Sequence, residues 1–186
     1  MNPLIKQLKK YGNLTPEIET ELDEKIKTLT KQKGDFLLKE GQIVSNLFVI
    51  EKGLVRSFYN INEREINVWF GLENGILGSV MPLFFSQPSI ENIQFLEDTT
   101  LYYISSNDLE SFYKSSQEMN TIGRKMAEEY CVILEERSFL LQTHTAEQRY
   151  HWLLKNQPEA LQRISLGHIA SYLGISQETL SRIRKK

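Results

Sequence analysis

Four side chains near the C-terminal end, Gln177, Glu178, Ser181 and Arg182, carry groups suited to the edges of nucleic-acid bases. An arginine clamps N7 and O6 of guanine, a glutamate accepts from N4 of cytosine, and a glutamine pairs with adenine. Arg184, Lys185 and Lys186 follow directly, where the phosphates of a duplex would lie. Ser176, Thr179 and His168 complete the set expected to touch phosphates.

Such groups read bases only when a rigid element holds them out, and Leu166–Arg184 has the pattern of two short helices joined by a tight turn. Ile169, Ala170 and Leu173 form one apolar face of the first helix. Gly174 supplies the left-handed residue that ends it, and Ile175 plugs the turn. Ser176 is placed to cap the second helix, with Glu178 in its first turn. Leu180 and Ile183 give that helix its buried stripe and leave the four base-reading candidates outside. Ala170, with Gly174 four residues on, Leu180 ten and Ile183 thirteen, has the spacing of a helix-turn-helix whose second helix enters the major groove.

The remainder of the chain differs in charge. The whole sequence of 186 residues carries −2, yet Thr145 to Lys186 holds seven Lys/Arg against three Asp/Glu, or +4, leaving −6 elsewhere. A basic C-terminal module on an acidic body predicts double-stranded DNA as a partner. Cys131 is the one cysteine, so no disulfide framework forms within the chain. Neither a signal peptide nor an apolar run of membrane length is present, which predicts a cytoplasmic protein with no membrane partner.

Thr15-Pro16-Glu17 starts a short packing helix, with Ile18 and Leu22 on its buried side. Short apolar runs then alternate with turns at Gly34, Gly41 and Gly53 as far as residue 105, the pattern of an all-β barrel or sandwich. Ser106 is expected to cap a helix to about Lys114. A longer helix of some 27 residues follows Ser116, a rod of roughly 40 Å. Met119, Ile122, Met126, Tyr130, Ile133, Arg137 and Leu140 trace a stripe along it, expected to be a homodimer seam. Thr145-Ala-Glu-Gln148 is a capping box for the next helix, so His144-Thr145 is the expected hinge. The division expected is a barrel over 1–105, a helical linker over 106–143 and the DNA module over 144–186.

A glycine-punctuated barrel, a long helix and a terminal helix-turn-helix together resemble the cyclic-AMP receptor protein/FNR (Crp/Fnr) family of bacterial transcription regulators. The resemblance implies an α+β chain: an N-terminal β-barrel or jelly roll of the cyclic-nucleotide-binding type, a dimerisation helix and a C-terminal winged helix-turn-helix. It implies a homodimer on a near-palindromic operator, with RNA polymerase as a further partner. Glu178-Thr-Leu-Ser181-Arg182 is similar to the Glu-x-x-Ser-Arg motif of the FNR branch. By that resemblance Arg182 reads guanine, Glu178 the cytosine opposite, and Ser181 a thymine, in a half-site such as TTGAT or TGTGA. Any wing is expected to be small, because 158–165 is short. Gly78 falls at the glycine of the family's phosphate cassette, so an effector pocket is expected around Gly78, Ser79, Ser89 and Ile90.

That pocket lacks the chemistry for a cyclic nucleotide. Gly78-Ser79 stands where the cyclic-AMP branch has Gly-Glu, and Ser89-Ile90 where it has Arg-Ser. Between Arg64 and Lys114 there is no Lys or Arg, while seven Asp/Glu lie there; a phosphate needs cations or clustered donors. One cysteine cannot hold an iron–sulfur cluster, and His144, His151 and His168 lie outside the expected barrel, so neither metal nor cofactor is expected. The acids Glu63, Glu65, Glu91, Glu97 and Asp98 read as solvated turn residues, and no nucleophile–base arrangement marks the chain as an enzyme. Trp69, Phe70, Phe84, Phe85, Ile93 and Phe95 are expected to line an apolar interior, filled or open to an uncharged effector of unknown identity. The alternative reading is a ligand sensor that acts through protein contacts instead of DNA.

Overall fold

The computed structural model describes residues 1–185. Two helices open the chain, α1 (Pro3–Leu8) and α2 (Pro16–Lys25), capped by the side chains of Asn2 and Thr15. In each, a proline follows the cap, where its missing N–H costs nothing. Strands β1 (Lys27–Lys31), β2 (Phe36–Leu38), β3 (Asn46–Lys52), β4 (Val55–Ile61), β5 (Arg64–Gly71) and β6 (Ile76–Leu77) follow. A short helix α3 (Val80–Phe85) then precedes β7 (Asn92–Phe95) and β8 (Thr99–Ser105).

The strands form two four-stranded antiparallel sheets, ordered β1-β8-β3-β6 and β2-β7-β4-β5. Phe48, Ile50 and Leu101 of the first meet Leu38, Val55, Ile93 and Phe95 of the second in a shared core. Of the barrel or sandwich expected, the structure has the two-sheet form, with free edges and no closed barrel. Strands β2 and β6, three and two residues long, are too short to carry the ladder from one sheet to the other. The expected interior also loses Phe84 and Phe85, which are 62% and 65% exposed. Helix α3 buries only Pro82 and turns both phenylalanines to solvent. At Gly53 the β3–β4 turn needs φ +112°, and a Cβ would lie 2.8 Å from Cα of Thr99; only glycine fits there.

Helix α4 (Ser106–Ser115) is capped by Ser105, one residue before the expected cap. Ser116 caps α5 (Gln117–Thr143), a rod of 27 residues. The stripe read as a dimer seam divides along this rod. Met119 and Ile122 are fully buried against α1 and α4, and Leu140 is buried further along. Met126 packs against the same core, whereas Tyr130 and Ile133 are exposed. Three-and-four spacing marks an apolar face without saying what covers it, and at the start of α5 the cover is the chain's own core. From residue 127 to 136 every residue is exposed, Tyr130, Val132, Ile133 and Leu134 included.

Helices α6 (Ala146–Asn156), α7 (Pro158–Arg163), α8 (Leu166–Leu173) and α9 (Gln177–Arg184) complete the chain. Thr145 and Gln148 make the expected reciprocal capping box, and the helical path breaks at His144-Thr145. The expected wing is corrected: among the described residues no strand follows β8. Pro158 at the first helical position starts α7 where a hairpin would run, and buried Ala160 and Ile164 tie this segment to the core. No helix among the described residues is long and apolar enough to cross a membrane.

Candidate nucleic-acid interface and the adjoining cavity

Helices α8 and α9 meet across the turn that the spacing predicts. Gly174 sits at φ +67°, and its amide donates to the carbonyl of Ser171 at 3.1 Å. The amide of Ile175 reaches back to Ala170 at 3.0 Å, closing the end of α8. Ala170 and Leu180 are buried where the helices face each other, and small Ala170 allows close approach. Ile183 is only half-buried, so Leu180 carries most of the apolar contact of α9.

The opposite side of α9 is open. Gln177, Glu178 and Arg182 are exposed and Ser181 is half-exposed. Ser176 caps the helix, accepting from the amide of Thr179 at 3.2 Å, and Nη2 of Arg182 donates to Oγ1 of Thr179 at 3.1 Å. The hydroxyls of Ser176 and Thr179 thus hold the helix start and the arginine in place. The backbone amide of Glu178 and the Ser176 hydroxyl hold the Glu178 carboxyl below its ordinary range, so it is an acceptor at neutral pH. Arg184 and Lys185 continue the exposed basic end; Lys186 lies outside the described residues.

His168 departs from its expected place against phosphate. Its ring is half-buried, with Nδ1 3.2 Å from Nη1 of Arg56 on β4. Burial, then the Arg56 charge, lowers its pKa against the opposing pull of Glu65. Arg56 is itself buried, and its guanidinium also binds Glu65 at 2.6 Å and Gln94 at 2.7 and 3.0 Å.

This contact is one of several that seat α8 on the sheets. Ser171 donates to the carbonyl of Glu65 at 2.8 Å and accepts from the amide of Asn67 at 2.9 Å, joining the α8 side chain to the backbone of β5. Arg163 at the end of α7 reaches both Glu73 and Glu97. Arg137 of α5 donates to the carbonyl of Tyr172 and stacks 3.8 Å from its ring. Arg149 of α6 ties the carbonyls of His144 and Leu173, bracing the break between α5 and α6. Leu54 of the β3–β4 turn joins the core that holds α6, α7, α8 and α9. None of these cross-links had a local signal in the sequence; their partners stand far apart in the chain. The acids Glu65, Glu97 and Asp98, read as solvated, bind Arg56, Arg163 and the amide of Lys33 respectively.

Of the residues expected to form an effector pocket, Ser79 and Ser89 come together and Ile90 stands apart from them. Ser79 and Ser89 are buried and bonded to each other at 3.1 Å, and Ile90 is exposed. Gly78 instead borders a separate cavity of about 540 Å³ between the β6–α3 segment and α5. Trp69, Leu77, Leu83, Met126, Tyr130 and Leu134 give it apolar walls. Among the described residues no group of His, Cys, Asp and Glu is arranged to hold a metal.

Comparisons with known proteins agree with this architecture. Residues 29–116 match the family model of the cyclic nucleotide-binding domain. No curated protein matches the chain at the level of sequence. Among solved structures, FixK2 from Bradyrhizobium japonicum superposes with a TM-score of 0.71 at 22% identity, over 86% of this chain and 83% of its own. The catabolite activator protein of Thermus thermophilus gives 0.60 at 19%, over 96% and 85%. A regulator assigned to the Crp/Fnr family from Eubacterium rectale gives 0.70 at 15%, over 92% and 82%. Residues 29–116 thus match the cyclic nucleotide-binding domain, and the chain as a whole shares its fold with these solved structures, one of them a regulator of the Crp/Fnr family.

Proposed function

We propose that this protein is a sequence-specific DNA-binding regulator of transcription of the Crp/Fnr type. The observation that carries the reading is the open face of α9: Gln177, Glu178, Ser181 and Arg182 point outward from a helix anchored through fully buried Leu180. Glu178 is held ionised as an acceptor and Arg182 is steadied by Thr179, which matches a cytosine–guanine pair read from both strands. The exposed cations Arg184 and Lys185 supply the phosphate contacts.

The reader works as a homodimer. Over 127–136 every residue of α5 is exposed, and four of them are large and apolar; such a segment needs a partner. Pairing through it sets two copies of α9 about 34 Å apart, one helical turn of DNA. Functionally the chain divides into a sheet module over 1–105, a dimer linker over 106–143 and a reader over 144–186. Cyclic nucleotides are not its effectors, because Ser79 and Ser89 satisfy each other where a phosphate would need cations.

Selection of bound duplex from a random DNA pool tests the reading. The expected product is an inverted repeat with a GA-containing half-site. No enrichment, with protein alone and again with cell extract added, overturns it in favour of a sensor acting through protein contacts.

A further inference from the structure

One member of the apolar stripe on α5 is a cation. Arg137 follows Ile133 by four residues and precedes Leu140 by three, yet it carries a guanidinium where its neighbours on the stripe carry hydrocarbon. A charge on such a seam costs stability. The structure gives this one a use outside the seam. Arg137 is half-buried, donates through Nη2 to the carbonyl of Tyr172, and lays its guanidinium 3.8 Å from the centre of the Tyr172 ring. The same ring meets Phe70 of β5, with centroids 5.3 Å apart. Buried Tyr172 is therefore shared by three elements: α8, which carries it, the rod α5 and the strand β5.

Helix α8 ends at this point. The last carbonyls of a helix have no partner inside it, and two of them are taken here by arginines from other elements. Arg137 of α5 takes that of Tyr172, and Arg149 of α6 takes that of Leu173. Both cations also face the negative end of the helix dipole. One residue earlier, the Ser171 hydroxyl bonds two backbone groups of β5. Only Gly174, Ile175 and Ser176 separate these anchors from α9, and two backbone bonds close that turn. The direction in which α9 leaves the turn thus depends on where α5 and β5 hold Tyr172.

We infer that Arg137 is a positioning residue for DNA reading: through Tyr172 it fixes the angle of α9 to α5, and so the spacing of half-sites that the dimer accepts. The inference rests on the proposed homodimeric reader and deepens it. Half-site spacing follows from the separation and mutual angle of the two recognition helices. The groups on α9 select the half-site, and Arg137, away from the base-reading face, selects how far apart two of them lie.

Competition binding on paired half-sites, with the spacer lengthened or shortened by one base pair, tests it. One base pair moves the second half-site by about 3.4 Å and turns it by about 35°. The unaltered protein should therefore lose about tenfold or more in affinity at either wrong spacing. Arg137→Met keeps the length of the side chain without its planar donors, so its loss should shrink to about threefold or less. Its discrimination at the guanine assigned to Arg182 should not change. Tyr172→Leu should behave likewise, and Tyr172→Phe, which keeps ring and carbonyl, like the unaltered protein. A variant that is merely less stable loses affinity at every spacing alike and leaves the ratio in place. The unaltered spacing ratio in Arg137→Met overturns the inference and leaves DNA reading standing. No binding by the unaltered protein at any spacing overturns the proposed function and the spacing role together.

A second measurement needs neither DNA nor pairing. Spin labels at Glu128→Cys on α5 and Glu178→Cys on α9, with Cys131→Ser and labelled chains diluted in unlabelled ones, report the rod-to-reader distance within one chain. The distance distribution should be narrow with Arg137 in place and broadened in Arg137→Met. An unchanged width overturns the inference whatever the DNA experiment gives, because the joint would then hold without Arg137.

Discussion

Arg163 and Glu73, 90 positions apart in the chain, meet in a bidentate ion pair, with Nη1 and Nη2 at 2.7 and 2.9 Å from the two carboxylate oxygens. Arg163 turns its Nε and Nη2 also to Glu97, at 3.0 and 2.6 Å. Glu73 in turn accepts from the amide of Gly53 at 2.9 Å. One guanidinium thus fastens α7 to the β3–β4 and β5–β6 turns and to the connection between β7 and β8. It is one charged part of the seam between the α6–α9 helices and the sheets, beside Arg56 and His168.

Replacing Arg163 with Met should loosen that seam. Both partners are roughly a quarter to a third exposed, so solvent screens the pair. The bidentate geometry raises it above an ordinary surface bridge. We expect a loss of roughly 1–2 kcal/mol, or about 5- to 30-fold in amide exchange protection across α7 and α8. Unchanged protection would show that the apolar contacts of Leu54 and Phe70 seat the helices unaided.

Acid should weaken the same seam in two steps. The Arg163 guanidinium, helped by the Gly53 amide, pushes the Glu73 carboxyl down to about 2. A carboxyl depressed in the folded state stabilises above its ordinary value of 4.5, and that stability is lost as pH falls from there towards 2. His168 acts first. Arg56 can only donate, so Nδ1 of His168 accepts and the ring there is neutral. Burial and the Arg56 charge hold its pKa below 6.5, against Glu65. The unfolded chain therefore takes up the proton more readily, and the contact is whole above pH 6.5 and weakens as pH falls below it. Exchange protection of α8 should drop as pH falls below about 6.5. His168→Gln should flatten that arm while leaving the Glu73 arm in place.

What could be read beforehand and what could not divides by range in the chain. Ser176, Gly174 and the Thr145–Gln148 box each act on residues within four positions, so type and spacing suffice to place them. The rod of α5 follows from the absence of any proline, and of any glycine after Gly123, before Thr143. The seam was not legible: Arg56 meets His168 across 112 positions and Arg163 meets Glu97 across 66, and nothing local to any of them records the other. Met119 and Ile133 lie on one stripe with the same spacing, yet one is core and the other open. The pairing of Ser79 with Ser89 was hidden for a related reason. Ser79 and Ser89 are ten apart, and only the folded chain shows that they spend their hydroxyls on each other.

The role of Arg182 in reading a base is separable from its charge. Arg182→Ala should cost roughly 1–3 kcal/mol of preference at a single guanine. Salt-sensitive binding to unrelated DNA should persist through Arg184 and Lys185. Competition gel shifts with the selected site and with point variants of it measure both. Arg184→Ala should do the reverse, weakening all sequences alike and lowering the salt slope by about one. If Arg182→Ala lost affinity equally on every sequence, the base contact would be refuted and only a phosphate role would remain.

The proposed pairing of α5 can be tested at Ile133 and Phe139, exposed by 52% and 58%. Neither packs in the chain's own core, so changing them tests association without emptying that core. Ile133→Glu with Phe139→Glu should place like charges across the seam at two levels. Sedimentation velocity should then show a monomer, with the helical circular dichroism of the unaltered chain. Met126→Ala, by contrast, touches the buried cluster around Ile122, and should lower thermal stability without dissociating the pair. If the double glutamate variant sediments like the parent, the exposed apolar stretch does not form the dimer. The two copies of α9 could not then be held one DNA turn apart by α5.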